Sequence, residues 1–381
     1  MDVNAEGFVA GLQECFQDLK DPRVQGRCDH LLIDILSIAI LAVMSGAEDW
    51  PDIEVFGKHR LPWLRGFLKL PNGIPSHDTF RRVFGLLDRK QFAACLFKWT
   101  QALHVATSGK VIAIDGKTAR RSFQKKSGLK ALHLVTAWAT ESGLTLGQVT
   151  CEEKSNEITA IPELLRLLNL KGSTVTIDAM GCQTAIAAQI REQKGHYVLA
   201  LKGNQSSLQE DMEQLADQAI EADFAGQTYD MHVTDEKGHG REEKRICCAI
   251  AVPPDHPQRS RWKDLCTLVI MTCCRMVGDK ETWERRLYIS SHKQRARALS
   301  QAIRRHWSIE NTQHWSLDVT FGEDVRRQQD RHGAANLAAV RRLSLCLLRR
   351  EKSNKRGIKN KRLSCALSPD YLITVLANAQ F

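Results

Sequence analysis

TVTIDAMGCQ, residues 174–183, and VIAIDGKTARRS, residues 111–122, decide how this chain reads. Each opens as a short, β-branched, apolar run, the composition of a buried strand. Each run then stops at an aspartate, Asp178 in one and Asp115 in the other. A carboxylate at the end of a buried strand is costly unless something beside it needs negative charge. Two such ends side by side repel unless a cation or a proton stands between them. A third acid, Glu310, lies in RRHWSIENTQHW at 304–315, a stretch predicted to be helical and able to cross the sheet. Two aspartates and a glutamate are hard oxygen donors. They suit Mg²⁺, with Mn²⁺ as a substitute, and the two-metal chemistry of phosphodiester bonds. Taken singly, Asp115 before Gly116 and Asp178 before Ala-Met-Gly also read as ordinary Asx turns. Their coincidence at two strand ends favours a shared site.

Outward from these runs, VIAID, HLVTAWAT and LTLGQVTC read as strands, parted by turn signals at 126–128 and 142–143. ITAIPELLRLLNL follows as a helix with Pro162 near its first turn, then strand TVTIDAM, helix CQTAIAAQIREQ and strand HYVLALKG. Three strands on short turns predict an antiparallel meander, and strands joined through helices predict parallel pairing. The order is that of an α/β, RNase H-like mixed sheet flanked by helices. From Asp178 to Glu310 is 132 residues, too many for one loop. A β-rich insertion is therefore expected at 203–288, dividing a core of 107–202 and 289–350. It opens with the acidic helix QSSLQEDMEQLADQAIEADF and continues through strands YDMHVTDE, KRICCAIAV, LCTLVIMTCCRMV and ERRLYISS.

Residues 1–106 read as a helical module suited to DNA, with Ser76 as an N-cap and Arg81 and Arg82 on one side of the following helix. A helical cap that only packs on the core fits the same pattern. LLIDILSIAILAVMSGA at 31–47 carries Asp34 and Ser37 and is too short to span a bilayer, so it is expected as a buried helix. Residues 351–381 read as a basic C-terminal tail, with REKSNKRGIKNKR at 350–362 as a solvated cationic run.

The 381 residues are 43% hydrophobic and 26% charged, ordinary for a globular protein. A net charge of +10 favours a polyanionic partner, nucleic acid, over an acidic small substrate. The twelve cysteines form no CxxC or zinc-ribbon spacing, and the neighbours Cys247–Cys248 and Cys273–Cys274 are poor disulfide partners. Reduced cysteines and the absence of an N-terminal signal pattern lead us to expect a cytoplasmic location.

His306, Glu310, His314 and Asp318 recur at a spacing of four, a stripe too polar for a core face. It is expected to meet water, metal or phosphate. The two histidines stand about 12 Å apart along a helix, too far to share one zinc ion. Lys117, Arg120 and Arg121 follow Asp115, and Lys202 and Asn204 follow the strand at 196–201. Open sheets place their sites at such strand ends, which makes these residues candidate phosphate contacts. Trp307 and Trp315 suit stacking on a base or packing alone.

IAIDGKTARRS, EEKSNEITAIPELL, VTIDAMGCQ, YVLALKGNQ and HWSIENTQHWSLDVTFGEDVRR together resemble the H-repeat-associated proteins of bacteria, DDE transposases of the insertion-sequence type. DPRVQGRCDHLLIDILSIAILAVMSGAEDW and LPNGIPSHDTFRRVFGLLD resemble that family's leading helical module. The resemblance covers roughly residues 20–350. It implies Asp115, Asp178 and Glu310 as catalytic and metal-binding acids, recombination at the terminal repeats of a mobile element, double-stranded DNA as partner through those repeats and its target, and a homodimer on that DNA in the bacterial nucleoid. Wider relatives carry Tyr, Arg and Lys at positions matching Ile303, His306 and Leu317. Arg304, Arg305 and His314 are the expected substitutes as phosphate contacts, and His306 is a further candidate. A catalytically inactive, DNA-binding relic that keeps the fold is the alternative.

Overall fold

The computed structural model describes residues 3–24, 26–105, 111–123, 130–151, 157–238, 240–325 and 330–377, and the side chains of 3–5, 99 and 102–105 lie outside that description. The turn signal at 126–128 falls outside it too. Five helices come first: α1 (Val3–Phe16), α2 (Leu32–Met44), α3 (Trp50–Leu64), α4 (His77–Leu86) and α5 (Arg89–Val105). Every α2 residue from Asp34 to Met44 is buried, and Asp34 accepts a hydrogen bond from the Leu70 N–H at 2.9 Å. The apolar run is thus a core helix whose one acid is satisfied. Among the described residues no helix is long and apolar enough to cross a membrane. Ser76 caps α4, its hydroxyl accepting from the Thr79 N–H at 3.3 Å.

The sheet begins with the meander β1 (Val111–Ala119), β2 (Leu132–Ala139) and β3 (Leu144–Cys151). α6 (Glu157–Arg166), β4 (Thr174–Ile177), α7 (Thr184–Glu192) and β5 (His196–Ala200) follow. β1 pairs antiparallel with β2 but parallel with β4, and β4 pairs parallel with β5. Pro162 lies at the sixth residue of α6, past the first turn where it was expected. The carbonyl that its missing N–H leaves free belongs to Ile158, on the exposed side of the helix.

α8 (Ser206–Glu221) leads into β6 (Tyr229–Gly238) and β7 (Arg241–Ala251). The short α9 (Gln258–Arg261), β8 (Thr267–Val277) and β9 (Lys280–Ser290) complete the insertion. These strands extend the first sheet: β9 pairs with β5, giving one sheet in the order β3-β2-β1-β4-β5-β9-β8-β7-β6. α8 covers one face, its Leu208, Met212 and Leu215 sharing a core with Cys248, Ile270 and Leu287. α10 (Ala296–His306) covers the other through Leu299, Ala302 and Ile303. A π-helical turn (Ile309–His314), α11 (Trp315–Val319), α12 (Arg331–Arg350), α13 (Ile358–Leu367) and α14 (Pro369–Ala377) end the chain.

α12 is buried from Gly333 to Leu348. It joins the helical module to the sheet, packing against α2, α4 and α5 and also against β3. Its Asn336 amide donates to the Phe84 and Leu87 carbonyls at 2.8 and 3.1 Å, closing the C-terminal end of α4. The basic tail expected at 351–381 is instead two docked helices. Cys365, Leu372, Val375 and Leu376 belong to the helical core. Arg362, buried, donates to the Val43 and Ala47 carbonyls at 2.9 and 3.2 Å. Lys361 donates to the Leu348 carbonyl at 3.0 Å. Cations that read as solvated charge serve as C-terminal caps of α2 and α12, where carbonyls lack intrahelical partners.

Candidate active site

Strand register brings the two aspartates together. Ile114 lies opposite Ile177 in the parallel β1–β4 pair, so the next residue on each strand is Asp115 and Asp178. Neighbouring strands are about 4.8 Å apart, which sets the two backbones at adjacent positions. Asp178 does end its strand. Its Oδ1 accepts from the Met180 and Gly181 N–H groups at 3.1 and 3.3 Å, so the Asx-type turn and the site position coexist. Asp115 does not end its strand: β1 runs on to Ala119, paired there with β2 alone. The expectation of a strand end at Asp115 fails because β2 keeps pairing where β4 has stopped.

Glu310 arrives from above. Ile309, fully buried, packs with Ala113 and Trp138 and pins the π-helical turn over β1. Asp115, Asp178 and Glu310 all line one cavity of about 170 Å³. Lys202, Arg286, Tyr288 and Trp307 line it as well. Burial first, then the charges of Glu310, Asp178 and Glu157, push the Asp115 carboxyl up to about 7, against the lowering pull of the Gly116 N–H. His314 Nδ1 lies 3.7 Å from Asp115 Oδ2. Burial pushes that imidazole down to about 3, so it is neutral and offers no compensating charge. Among the described residues no Lys or Arg is ion-paired to Asp115, Asp178 or Glu310. Uncompensated carboxylates on one cavity are the donor chemistry of a hard divalent cation. Among the described residues no three His, Cys, Asp or Glu side chains form a ready-made cage.

Most of the expected phosphate contacts are engaged within the chain. Lys117 is buried, its Nζ 2.7 Å from Asp318, 3.1 Å from Glu323 and 3.5 Å from Asp324. Asn204 donates to the Ala179 carbonyl at 2.6 Å, and Arg304 and Arg305 pair with Glu236 and Glu141. His306 Nδ1 shares a hydrogen bond with Thr176 Oγ1 at 3.0 Å, and burial lowers its pKa. The i to i+5 ladder of the π turn breaks the spacing-of-four stripe. His314 at the end of that turn faces Asp115 on β1, while His306, at the end of α10, faces β4 through Thr176 and lines the cavity. Ile303 and Leu317 are core residues. Arg120 is exposed beside Asp324, and Arg121 is exposed past the far end of β1, away from the cavity. Of these candidates Lys202 and His306 line the cavity.

Two features escaped the sequence. Arg286 stands over the Trp307 ring at 5.1 Å. Its strand, ERRLYISS, read only as insertion; the signal was the period-two pair Arg286 and Tyr288, which faces α10. Behind Asp115, buried His133 and Glu157 are hydrogen-bonded to each other, and His133 Nδ1 meets Thr118 Oγ1 at 2.9 Å. Gly116 makes room for them. A Cβ there would stand 2.3 Å from both Glu157 Oε1 and His133 Nε2. Gly116→Ala is expected to cost about 1–3 kcal/mol, the range for overpacking a filled interior. Urea unfolding measures it, and an unchanged midpoint would mean the pair can move aside freely.

The family described as "Transposase DDE domain" matches residues 106–347, and one described as "DDE_Tnp_1-associated" matches 13–100. The chain belongs to the DDE transposases. It is 40% identical to "Putative transposase YncI" of Escherichia coli O157:H7, over 97% of this chain and 95% of that one. It is 38% identical to "H repeat-associated putative transposase YhhI" of E. coli K12, over 97% and 98%. A piggyBac transposase in a synaptic complex with hairpin DNA aligns at 10% identity and a TM-score of 0.41, covering 98% of this chain and 78% of that one; a likeness that loose carries no argument.

Proposed function

We propose that this DDE transposase cleaves DNA at the ends of an insertion-sequence-like element and joins the freed 3′ ends to a target. Asp115, Asp178 and Glu310 are its catalytic acids, carried on an RNase H-like core. The observation that carries the reading is their convergence on one cavity, with no Lys or Arg ion-paired to them among the described residues. The three carboxylates would hold Mg²⁺, or Mn²⁺ in its place. The chemistry supplied with that ion bound is Lewis acidity toward a phosphodiester oxygen and activation of water or a 3′-hydroxyl.

The chain's own residues do the rest. Asp178 is fixed by the two N–H bonds of its turn. Asp115 is set by the Gly116 N–H at 2.8 Å and backed by the neutral His314. Thr176 and His306 tie β4 to the end of α10, just ahead of Glu310. Lys202 supplies positive charge at the cavity wall for the phosphates beside the reacting bond, and Arg286, whose Nε donates to Glu284 at 2.7 Å, adds its remaining N–H donors there.

The deciding experiment incubates purified protein with terminal-repeat DNA, a target plasmid and Mg²⁺ or Mn²⁺. Metal-dependent nicking followed by joined products is expected. Nicking without joining would make it a nuclease, and binding without either would make it a DNA-binding relic.

A further inference from the structure

The sheet face that carries the cavity continues outward along the insertion. Register aligns Tyr288 with Val269, Ala249 and Asp230, and Arg286 with Met271, Cys247 and His232. Alternation then places Arg245 one row further out, Arg275 beside Glu243 in the next, and Arg241 beside Lys280's partner Val277 in the last. Two residues of strand advance about 6.8 Å, so the rows from Arg286 to Arg241 span roughly 20 Å.

The charges along this track do not balance. Glu243 is buried and serves three guanidiniums: Arg241 at 3.2 Å, Arg275 at 2.8 Å, and Arg245. Glu236 serves Arg245 at 3.1 Å and also Arg304. Four arginines thus share two carboxylates, while Glu284 on the same face is matched by Arg286 alone at 2.7 Å. The excess lies on accessible side chains, since Arg241 is 48% and Arg275 50% exposed. On the opposite face, in the rows between, Arg285, Lys244 and Lys237 are matched by Asp235, Glu242 and Glu281, with no cationic excess. A buried carboxylate that splays several guanidiniums toward solvent holds them oriented for another anion, and the planar fork loses little freedom when it binds phosphate.

We propose that Arg241, Arg245 and Arg275 form a phosphate track for DNA that leaves the catalytic cavity along β7 and β8. The inference rests on the transposase reading of that cavity. A duplex rising 3.4 Å per base pair would pass about six base pairs over such a length.

The test is fluorescence anisotropy with a labelled duplex of arbitrary sequence, about 30 base pairs long, titrated without divalent metal between roughly 50 and 200 mM salt. In Arg241→Gln/Arg275→Gln the slope of log affinity against log salt should fall by about 1.8. The loss of affinity across that salt range then shrinks about tenfold. Glu243→Gln should act in the opposite direction, tightening binding. Should the double variant not fold, Arg241→Gln alone, at the exposed strand end, should lower the slope by about 0.9. A folded double variant with the wild-type slope overturns the track. So does an equal fall in Lys237→Gln, which removes a charge from the other face. A wild-type protein that binds no duplex would instead overturn the transposase reading itself.

Discussion

Asp115→Asn is expected to lower metal-dependent nicking of terminal-repeat DNA by about a thousandfold or more while leaving DNA affinity within about twofold. The substitution keeps the shape of the side chain and its bond to the Gly116 N–H but removes the anionic oxygen that adjoins Asp178 in the register. A loss of several kcal/mol of transition-state stabilisation corresponds to that factor. Binding is expected to persist because the proposed phosphate contacts are cationic side chains, none of which is ion-paired to Asp115 among the described residues. Asp178→Asn and Glu310→Gln should behave alike. Single-turnover nicking at saturating protein reads the chemistry, and anisotropy reads the binding. An Asp115→Asn protein that nicks at the wild-type rate would remove the three acids from the reaction.

Arg342→Met is expected to destabilise the fold by about 3–5 kcal/mol, the cost of stranding a buried charge. Arg342 and Glu323 are both fully buried, with Nη1 and Oε1 2.7 Å apart. Lys117 holds the other carboxylate oxygen of Glu323 at 3.1 Å. The network therefore ties β1, two residues beyond Asp115, to α12. Burial pushes the Glu323 carboxyl up, but the charges of Arg342, Lys117 and Arg341 outweigh it and hold the carboxyl well below the usual carboxylate range. The sign follows from that depression. The stabilisation is complete above the unfolded-state pKa of about 4.3 and is lost as pH falls below it. Urea midpoints at neutral pH and at about pH 4 should converge in Glu323→Gln relative to wild type, because the variant has no such proton to take up. A wild-type midpoint for Arg342→Met at neutral pH would show that the network contributes nothing.

Local pattern carried much of the architecture. The β-branched runs, the Ser76 cap and the change from short turns to helical connections led to the antiparallel meander and the parallel β1–β4–β5 set. The same runs led to the acids, because a carboxylate closing an apolar strand is anomalous from its immediate neighbours alone. The roles of the cations were hidden. Lys117 follows Asp115 by two residues and looked like a phosphate ligand, yet its partners Asp318, Glu323 and Asp324 lie some 200 positions away. Arg304 and Arg305 were lost to Glu236 and Glu141 in the same way.

Periodicity and side-chain chemistry are local properties, so the succession of strands and helices through β5 and the buried α2 were present in the one-dimensional chain, and the three acids were legible there as candidates. Which charges remain free for a substrate depends on pairings between distant segments. Folding alone decided that the basic C-terminal residues cap helices, that His306 from α10 and His314 from the π turn point inward, and that Arg286 reaches the cavity from β9. A charged side chain takes whatever partner the fold sets within a few ångströms, and sequence distance says nothing of that separation.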